Sequence, residues 1–290
     1  MSKFRLSCTT CATRGIDGDE TAACFKYAPP AGFTAWGAAS VAQRTLGESF
    51  WLDSEKIKKE AIKAGLIDCT EVYSCPMPPT SVEKAVSSIN QFLSVFELAK
   101  GLDCDLVVFS GGQSPEQAEV LRSQTKSANK RERIKSIGIE ASIAGIKALL
   151  PYIERSNTRI ALEPHYGSNF STRSDFDQIF KAIDHPQVGI TIDTGHFHSA
   201  GVDWRTFIQD FGSKIWNVHF KDHIGTLSVP LGKGEIDFHG YLEELDRLNY
   251  EGALALELEV EDPENLPQYV SQAYKFMVQI VKEVTGSTPQ

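Results

Sequence analysis

Four short segments in the second half of the chain share one construction, and it limits the fold more than any other feature. In VGITIDTGHF, residues 188 to 197, Val188, Ile190 and Ile192 alternate with Gly189, Thr191 and Asp193. At the two-residue period of a strand, bulky apolar groups then fall on one face and small or polar ones on the other. RIALEPH sets Ile160 and Leu162 against Ala161 and Glu163. IWNVHFKDH sets Trp216, Val218 and Phe220 against Asn217 and His219, and ALALELEV sets Leu254, Leu256 and Leu258 against Ala255 and Glu257. Each segment sends hydrophobes one way and a metal-competent side chain the other. The intervals 163–193, 193–219 and 219–257 leave room for a return helix and the next parallel strand. Such strands deliver Glu163, Asp193, His219 and Glu257 to one end of one sheet.

The rest of the chain supports an α/β fold closed into a single (β/α)8 TIM barrel over residues 1–290. That architecture takes about 250 residues and carries its chemistry on the C-terminal rim. No Gly, Ser or Pro linker divides the sequence, and strand and helix signals alternate throughout. FRLSCTT reads as the first strand, GFTAWGAAS holds the second, LIDCTEVYS is the third and DLVVFSGG the fourth. Between them, ETAACFKYA is a helix ended by Pro29, Pro30 and Gly32, and Asp53 caps SEKIKKEAIKAG. CPMPP is a rim loop. An amphipathic helix runs from Ser81 to Gly101, and Ser114 with Pro115 starts another. The stretch up to Pro151 reads as two helices broken near residues 126 to 130. Ser174 caps SDFDQIFKAID, DWRTFIQDF and YLEELDRL are helices, PENLPQYVSQAYKFMVQIVKEV is the last helix with Pro263 near its first turn, and STPQ is a frayed tail.

Hydrophobic residues at 41% with 23% charged residues are those of a soluble globular protein. No apolar run approaches membrane-spanning length and MSKFRLSC lacks a secretory apolar core, so a cytoplasmic location with no membrane partner is expected. The net charge of −9 disfavours nucleic acid as a partner. KSANKRERIK, residues 126 to 135, is read as a solvated face. The six cysteines (8, 11, 24, 69, 75, 104) have no disulfide or zinc framework, CTTC being one pair without a second.

Three carboxylates and one imidazole form an oxygen-rich, hard donor set that suits Mn²⁺, Mg²⁺ or Co²⁺, with Zn²⁺ also open. Taken singly, a carboxylate at a strand end is usually a helix cap or salt-bridge partner, and a lone histidine a hydrogen-bonded core residue. Four on matching faces of successive strands are hard to obtain by chance. Glu257 and Glu259 share a face, so periodicity alone leaves both open as the fourth member.

LEPH, IDTGHFHSAG, NVHFKDH, LGKGEIDF and YEGALALELE, in this order, resemble the xylose isomerase-like barrel superfamily of sugar isomerases, epimerases, dehydratases and abasic-site endonucleases. The resemblance is close in the second half of the chain and rests on strand spacing in the first. It implies one divalent ion, Mn²⁺ foremost, held by Glu163, Asp193, His219 and Glu257, with His196 beside it. It selects Glu257, five residues after the glycine of the YEG turn, and a homodimer is in keeping with it. His165, His196 and Lys221 are candidate substrate contacts, Asp222 and His223 supporting residues, and His185, His198 and His239 surface residues.

Departures from the family patterns narrow the activity. Ser110 and Val229 stand where abasic-site endonucleases carry metal-binding histidines, which disfavours a three-metal nuclease. HYGSNF after LEP, and Gly225 in place of an arginine, depart from ketohexose 3-epimerases. What remains is proton abstraction next to the carbonyl of a small sugar or polyol, with Glu163 and Glu257 taking and returning the proton. Isomerisation or epimerisation is the first expectation. A lyase of inosose-dehydratase or keto-glycoside-eliminase type comes second, and a non-catalytic metal-binding protein third.

Overall fold

The computed structural model describes residues 3–16, 18–39, 53–74, 81–87, 89–112, 119–120, 123 and 128–290. Eight parallel strands close into a barrel: β1 (Arg5–Thr9), β2 (Ala35–Ala38), β3 (Asp68–Tyr73), β4 (Leu106–Ser110), β5 (Arg159–Glu163), β6 (Val188–Asp193), β7 (Ile215–Phe220) and, after a small hairpin, β10 (Ala253–Leu256). Each strand pairs with its predecessor in the chain, and β10 closes the ring between β7 and β1. The chain is thus a single (β/α)8 TIM barrel. Alternation has the consequence it must have in a closed sheet. Ile160, Leu162, Ile190, Ile192, Val218, Phe220, Leu254 and Leu256 are buried outward under the helices, leaving Ala161, Thr191, Asn217 and Ala255 for the narrow lumen.

Helices wrap the barrel: α1 (Glu20–Ala31), α2 (Ser54–Ala64), α3 (Val82–Ser87), α4 (Ile89–Gly101), α5 (Ala128–Ser156), α6 (Arg173–Ala182), α7 (Thr194–Ala200), α8 (Trp204–Phe211), α9 (Phe238–Arg247) and α10 (Leu266–Thr285). Asp53 caps α2 by accepting from Lys56 N at 3.0 Å. Several local expectations are corrected. Helix α1 runs through Pro29 and Pro30, because in a last turn their missing N–H groups cost only two bonds and Gly32 N closes the helix onto Ala28 and Pro29 carbonyls. Thr172 rather than Ser174 precedes α6, and Asp175 Oδ2 accepts its N–H at 2.8 Å. Pro267, not Pro263, stands in the first turn of α10. The tail is not frayed: Gln290 N donates to Phe4 O at 2.9 Å, beside β1.

Helix α5 is continuous through Pro151, and the basic stretch at its start is solvated, Lys130 and Arg133 being exposed. By length and composition it is long and apolar enough to cross a membrane, which the sequence reading did not anticipate. Its Ile139, Ile146, Leu149 and Ile153 are buried in the hydrophobic core. The expected CPMPP loop and the Ser114–Pro115 helix start lie outside the described residues.

Beyond β7 the chain makes a hairpin that the sequence reading missed, β8 (Asp222–Ile224) and β9 (Leu227–Val229). Gly225, at φ 58°, supplies the left-handed residue its two-residue turn needs. Asp222 Oδ2 accepts from Gly232 N and Gly234 N at 2.9 and 2.8 Å, tying the LGKG turn to the barrel rim.

Candidate metal centre at the C-terminal mouth

Glu163 and Asp193 end β5 and β6, His219 is the penultimate residue of β7, and Glu257 follows β10 directly. The register pairs Asp193 with His219 and Ala255 with His219, so closure of the barrel brings these side chains to one level. One donor atom from each of the four lies within 4.8 Å of the others, and all four residues are buried. His219 Nδ1 is 2.6 Å from Glu163 Oε1 and 3.4 Å from Glu257 Oε2. Asp193 also caps α7, its Oδ1 accepting from His196 N at 2.7 Å, which leaves Oδ2 for the cluster. Glu259 stands outside the group, paired with Lys221 at 2.9 Å and with Arg14 at 2.9 Å.

Lys221, 1% exposed, is buried beside the cluster. Its Nζ lies 3.1 Å from Asp193 Oδ2 and 3.0 Å from Glu257 Oε2. Burial opposes its charge, but these carboxylates and Glu259 hold the ammonium well above its ordinary value. Burial in turn pushes Asp193 up to about 7 despite Lys221. On Glu163, burial acts upward too, yet His165 and His219 outweigh it and hold the carboxyl below its usual range.

His165 follows the end of its strand and still reaches the cluster: its Nε2 is 2.8 Å from Glu163 Oε2 and 2.9 Å from Tyr73 Oη. Tyr73 donates its own hydroxyl to Glu163 Oε2. Burial and the Glu163 charge push the Tyr73 phenol well up. His165 stacks on His196 at 4.1 Å, and burial with the His165 and Lys221 charges pushes His196 well down. His196, Tyr166, Ser199, His223, Ser228 and Glu259 line an adjoining cavity of about 350 Å³. His223 Nδ1 is 2.8 Å from Ser199 Oγ, a supporting contact at the wall. The other histidines pair with surface glutamates: His185 with Glu154, His198 with Glu235 and His239 with Glu283.

Glu71 and Tyr73 were not singled out in the sequence, although a signal existed. E-V-Y at the end of LIDCTEVYS alternates as A-L-E does in RIALE, and Glu71 and Tyr73 share the inward face. Glu71 is fully buried and accepts from His219 Nε2 at 2.8 Å and Asn217 Nδ2 at 2.7 Å.

The residues fit a divalent cation. Asp193 Oδ2 and Glu257 Oε2 are buried without an aligned hydrogen-bond donor, Lys221 approaching them at ion-pair distance only. Four buried carboxylates (Glu71, Glu163, Asp193, Glu257) face the buried Lys221 and the imidazoles of His165 and His219, so acidic groups still outnumber basic ones in an interior that does not sustain unpaired charge. Among the described residues, this is the group of His, Cys, Asp and Glu side chains assembled to hold an ion. The described cysteines Cys8, Cys11, Cys24, Cys69 and Cys104 are free thiols and take no part.

Known proteins resemble this chain in sequence and in fold. The inosose dehydratase of Clostridium beijerinckii is 28% identical over 164 residues, 49% of this chain and 53% of that protein. The chain thus matches about half the length of such curated relatives. A crystal structure of the IOLI protein with a bound zinc atom superposes with a TM-score of 0.75 at 18% identity, covering 98% of this chain and 100% of that one. A probable 3-DHS dehydratase, AsbF of Bacillus anthracis, superposes with a TM-score of 0.69 at 17% identity, covering 94% and 100% of the two chains. At these identities the structural likeness speaks for the fold. The xylose isomerase-like TIM barrel family matches residues 25–280, most of the chain, and it is to this family that the protein belongs.

Proposed function

We propose that the protein is a metal-dependent lyase that eliminates water from an uncharged, polyhydroxylated ketone, an inosose being the leading candidate. The observation that carries this reading is the hydrogen-bonded set of Glu163, Tyr73 and His165, in which one carboxylate oxygen is shared by a phenol and an imidazole. Elimination beside a carbonyl needs a base for the carbon-bound proton and an acid for the departing hydroxyl, within reach of each other. Glu163 takes the proton from the carbon next to the carbonyl, and the electron pair passes through the enolate to expel the β-hydroxyl. That oxygen leaves as water with a proton from His165, which Tyr73 holds in place. A cation bound by Glu163, Asp193, His219 and Glu257 supplies polarisation of the substrate oxygens; Mn²⁺ is the first choice, with Mg²⁺, Co²⁺ and Zn²⁺ as alternatives. Lys221, held by three carboxylates, steadies negative charge on the substrate. His196, on the cavity wall, orients substrate hydroxyls.

The charge inventory supports a neutral substrate. Lys221 and Arg14 are each paired with at least two carboxylates, and Glu259 and Glu261 line the cavity. A phosphate or carboxylate substrate would meet acidic groups there. The kinship to proteins named inosose dehydratase supports elimination over isomerisation, reversing the order taken from the sequence. Isomerisation or epimerisation remains the second reading, because Glu257 offers a second carboxylate across the cluster to return a proton.

The test is incubation of the Mn²⁺-loaded protein with inososes, ketoses and 3-keto-glycosides in deuterated water, followed by NMR. Loss of water from an inosose is expected. Deuterium entry without loss transfers the assignment to the isomerase reading, and no reaction across the panel removes both.

A further inference from the structure

The lumen directly beneath the cluster contains a second carboxylate shelf. Glu71 sits on β3 opposite Gly37 of β2, at a register shift between Trp36 and Gly37. A Cβ at position 37 would lie 2.7 Å from Glu71 Oε1 and 2.9 Å from its Cγ, so the side chain has room only because that residue is glycine. Asn217 and His219, two apart on β7, face Glu71 together, and both their nitrogens converge on Oε2. Oε1 is left buried without a partner. An isolated carboxylate in such a place is costly, and two donors on one oxygen offset that cost only in part. Removing Glu71 costs the barrel no backbone bond, so its place there calls for a role.

That role follows from the two nitrogens of His219. A neutral imidazole carries one N–H, and a nitrogen that ligates a cation must present its lone pair. Nδ1 faces Glu163 and Glu257 in the cluster; Nε2 faces Glu71. We propose that Glu71 is a positioning residue for the metal centre: it accepts the Nε2–H of His219, fixes the ring's rotation and tautomer, and so turns the Nδ1 lone pair toward the cation. Asn217 holds Glu71 in register for this contact. The inference rests on the metal-binding reading of the cluster and adds to it a carboxylate–histidine–cation relay running down the barrel axis.

The experiment uses Zn²⁺ alone, titrated against a chromophoric competitor, on the wild-type chain, E71Q and E71L. E71Q keeps an oxygen to accept from Nε2 and Asn217 but loses the charge, and E71L loses the acceptor. The expected Kd for Zn²⁺ rises about 10-fold in E71Q and about 100-fold in E71L, the range found when such outer partners are removed. In the Zn²⁺-loaded wild type, the His219 Nε2–H proton is expected far downfield and slow to exchange. It moves upfield in E71Q and exchanges rapidly in E71L, a change that general loosening of the fold would not confine to one histidine. An unchanged Kd in E71Q overturns the proposal, and because E71Q is isosteric it decides the matter even if E71L fails to fold. A wild-type chain that takes up no Zn²⁺ instead overturns the metal reading itself, which separates the two failures.

Discussion

The two mouths of the barrel treat charge in opposite ways. Around a cavity of about 410 Å³ at the N-terminal mouth, each arginine meets an aspartate: Arg5 contacts Asp68, and Arg159 contacts Asp105 at 3.0 Å while lying 5.2 Å from the Trp216 ring centre. These side chains are between 38% and 58% exposed, so water screens them and their pairing is worth little. At the C-terminal mouth the carboxylates are buried, outnumber their cations and leave oxygens unpaired. Paired, wet charge closes a surface; unpaired, dry charge asks for a ligand. The difference also separates stability from chemistry along the same strands, since Arg159 begins β5 and Glu163 ends it.

Substitutions sharpen that contrast. The largest effect is expected for E163Q, which removes the proposed base while keeping its shape: turnover of the accepted ketone falls by about 10³-fold or more, measured as initial rates at saturating substrate. H165N and Y73F come next. Each is expected to lower kcat by about 10²-fold with Zn²⁺ affinity changed only a few-fold, because neither side chain belongs to the ligand group. Equal losses in kcat and in affinity would instead make them supports of the ion. Third, a free cation at a hundred times its Kd is expected to stabilise the folded chain by about 2.7 kcal/mol, and chelation to reverse this, read as a shift in the thermal unfolding midpoint. The smallest effect belongs to the other mouth. R159A is expected to cost about 1 kcal/mol or less and to leave kcat at its wild-type value, checked by urea titration and by the same assay. A large loss of activity in R159A would break the division between the two ends.

Much of the C-terminal mouth was legible in the chain because a strand's period writes its two faces as alternate letters. Ile190 and Ile192 against Thr191 and Asp193 is such a line, and Glu163, His219 and Glu257 repeat it. Choosing between Glu257 and Glu259 was beyond periodicity. The chain leaves β10 at Leu256, so Glu257 faces the lumen and Glu259 is carried outward to Lys221 and Arg14. Glu71 and Tyr73 escaped because their meaning lies in contacts across roughly 150 and 90 residues of sequence, with His219 and Glu163, that only barrel closure creates. His165 was in view as a substrate contact, but without Tyr73 nothing in the sequence tied it to Glu163. The β8–β9 hairpin was hidden for a different reason. Its strands are three residues each, too short for alternation to register, and only Gly225 marks the turn. The ends of α6 and α10 were misplaced by the usual ambiguity of caps, where Thr172 and Ser174, or Pro263 and Pro267, offer equivalent local signals.

Glu163, Asp193, His219 and Glu257 are proposed to hold one divalent cation at the barrel mouth, and equilibrium dialysis of the purified chain against Mn²⁺ measures whether they do. One tightly held Mn²⁺ per chain is expected, lost in D193N, whose backbone cap to His196 the amide oxygen preserves. No bound Mn²⁺, or full occupancy retained in D193N, would contradict it.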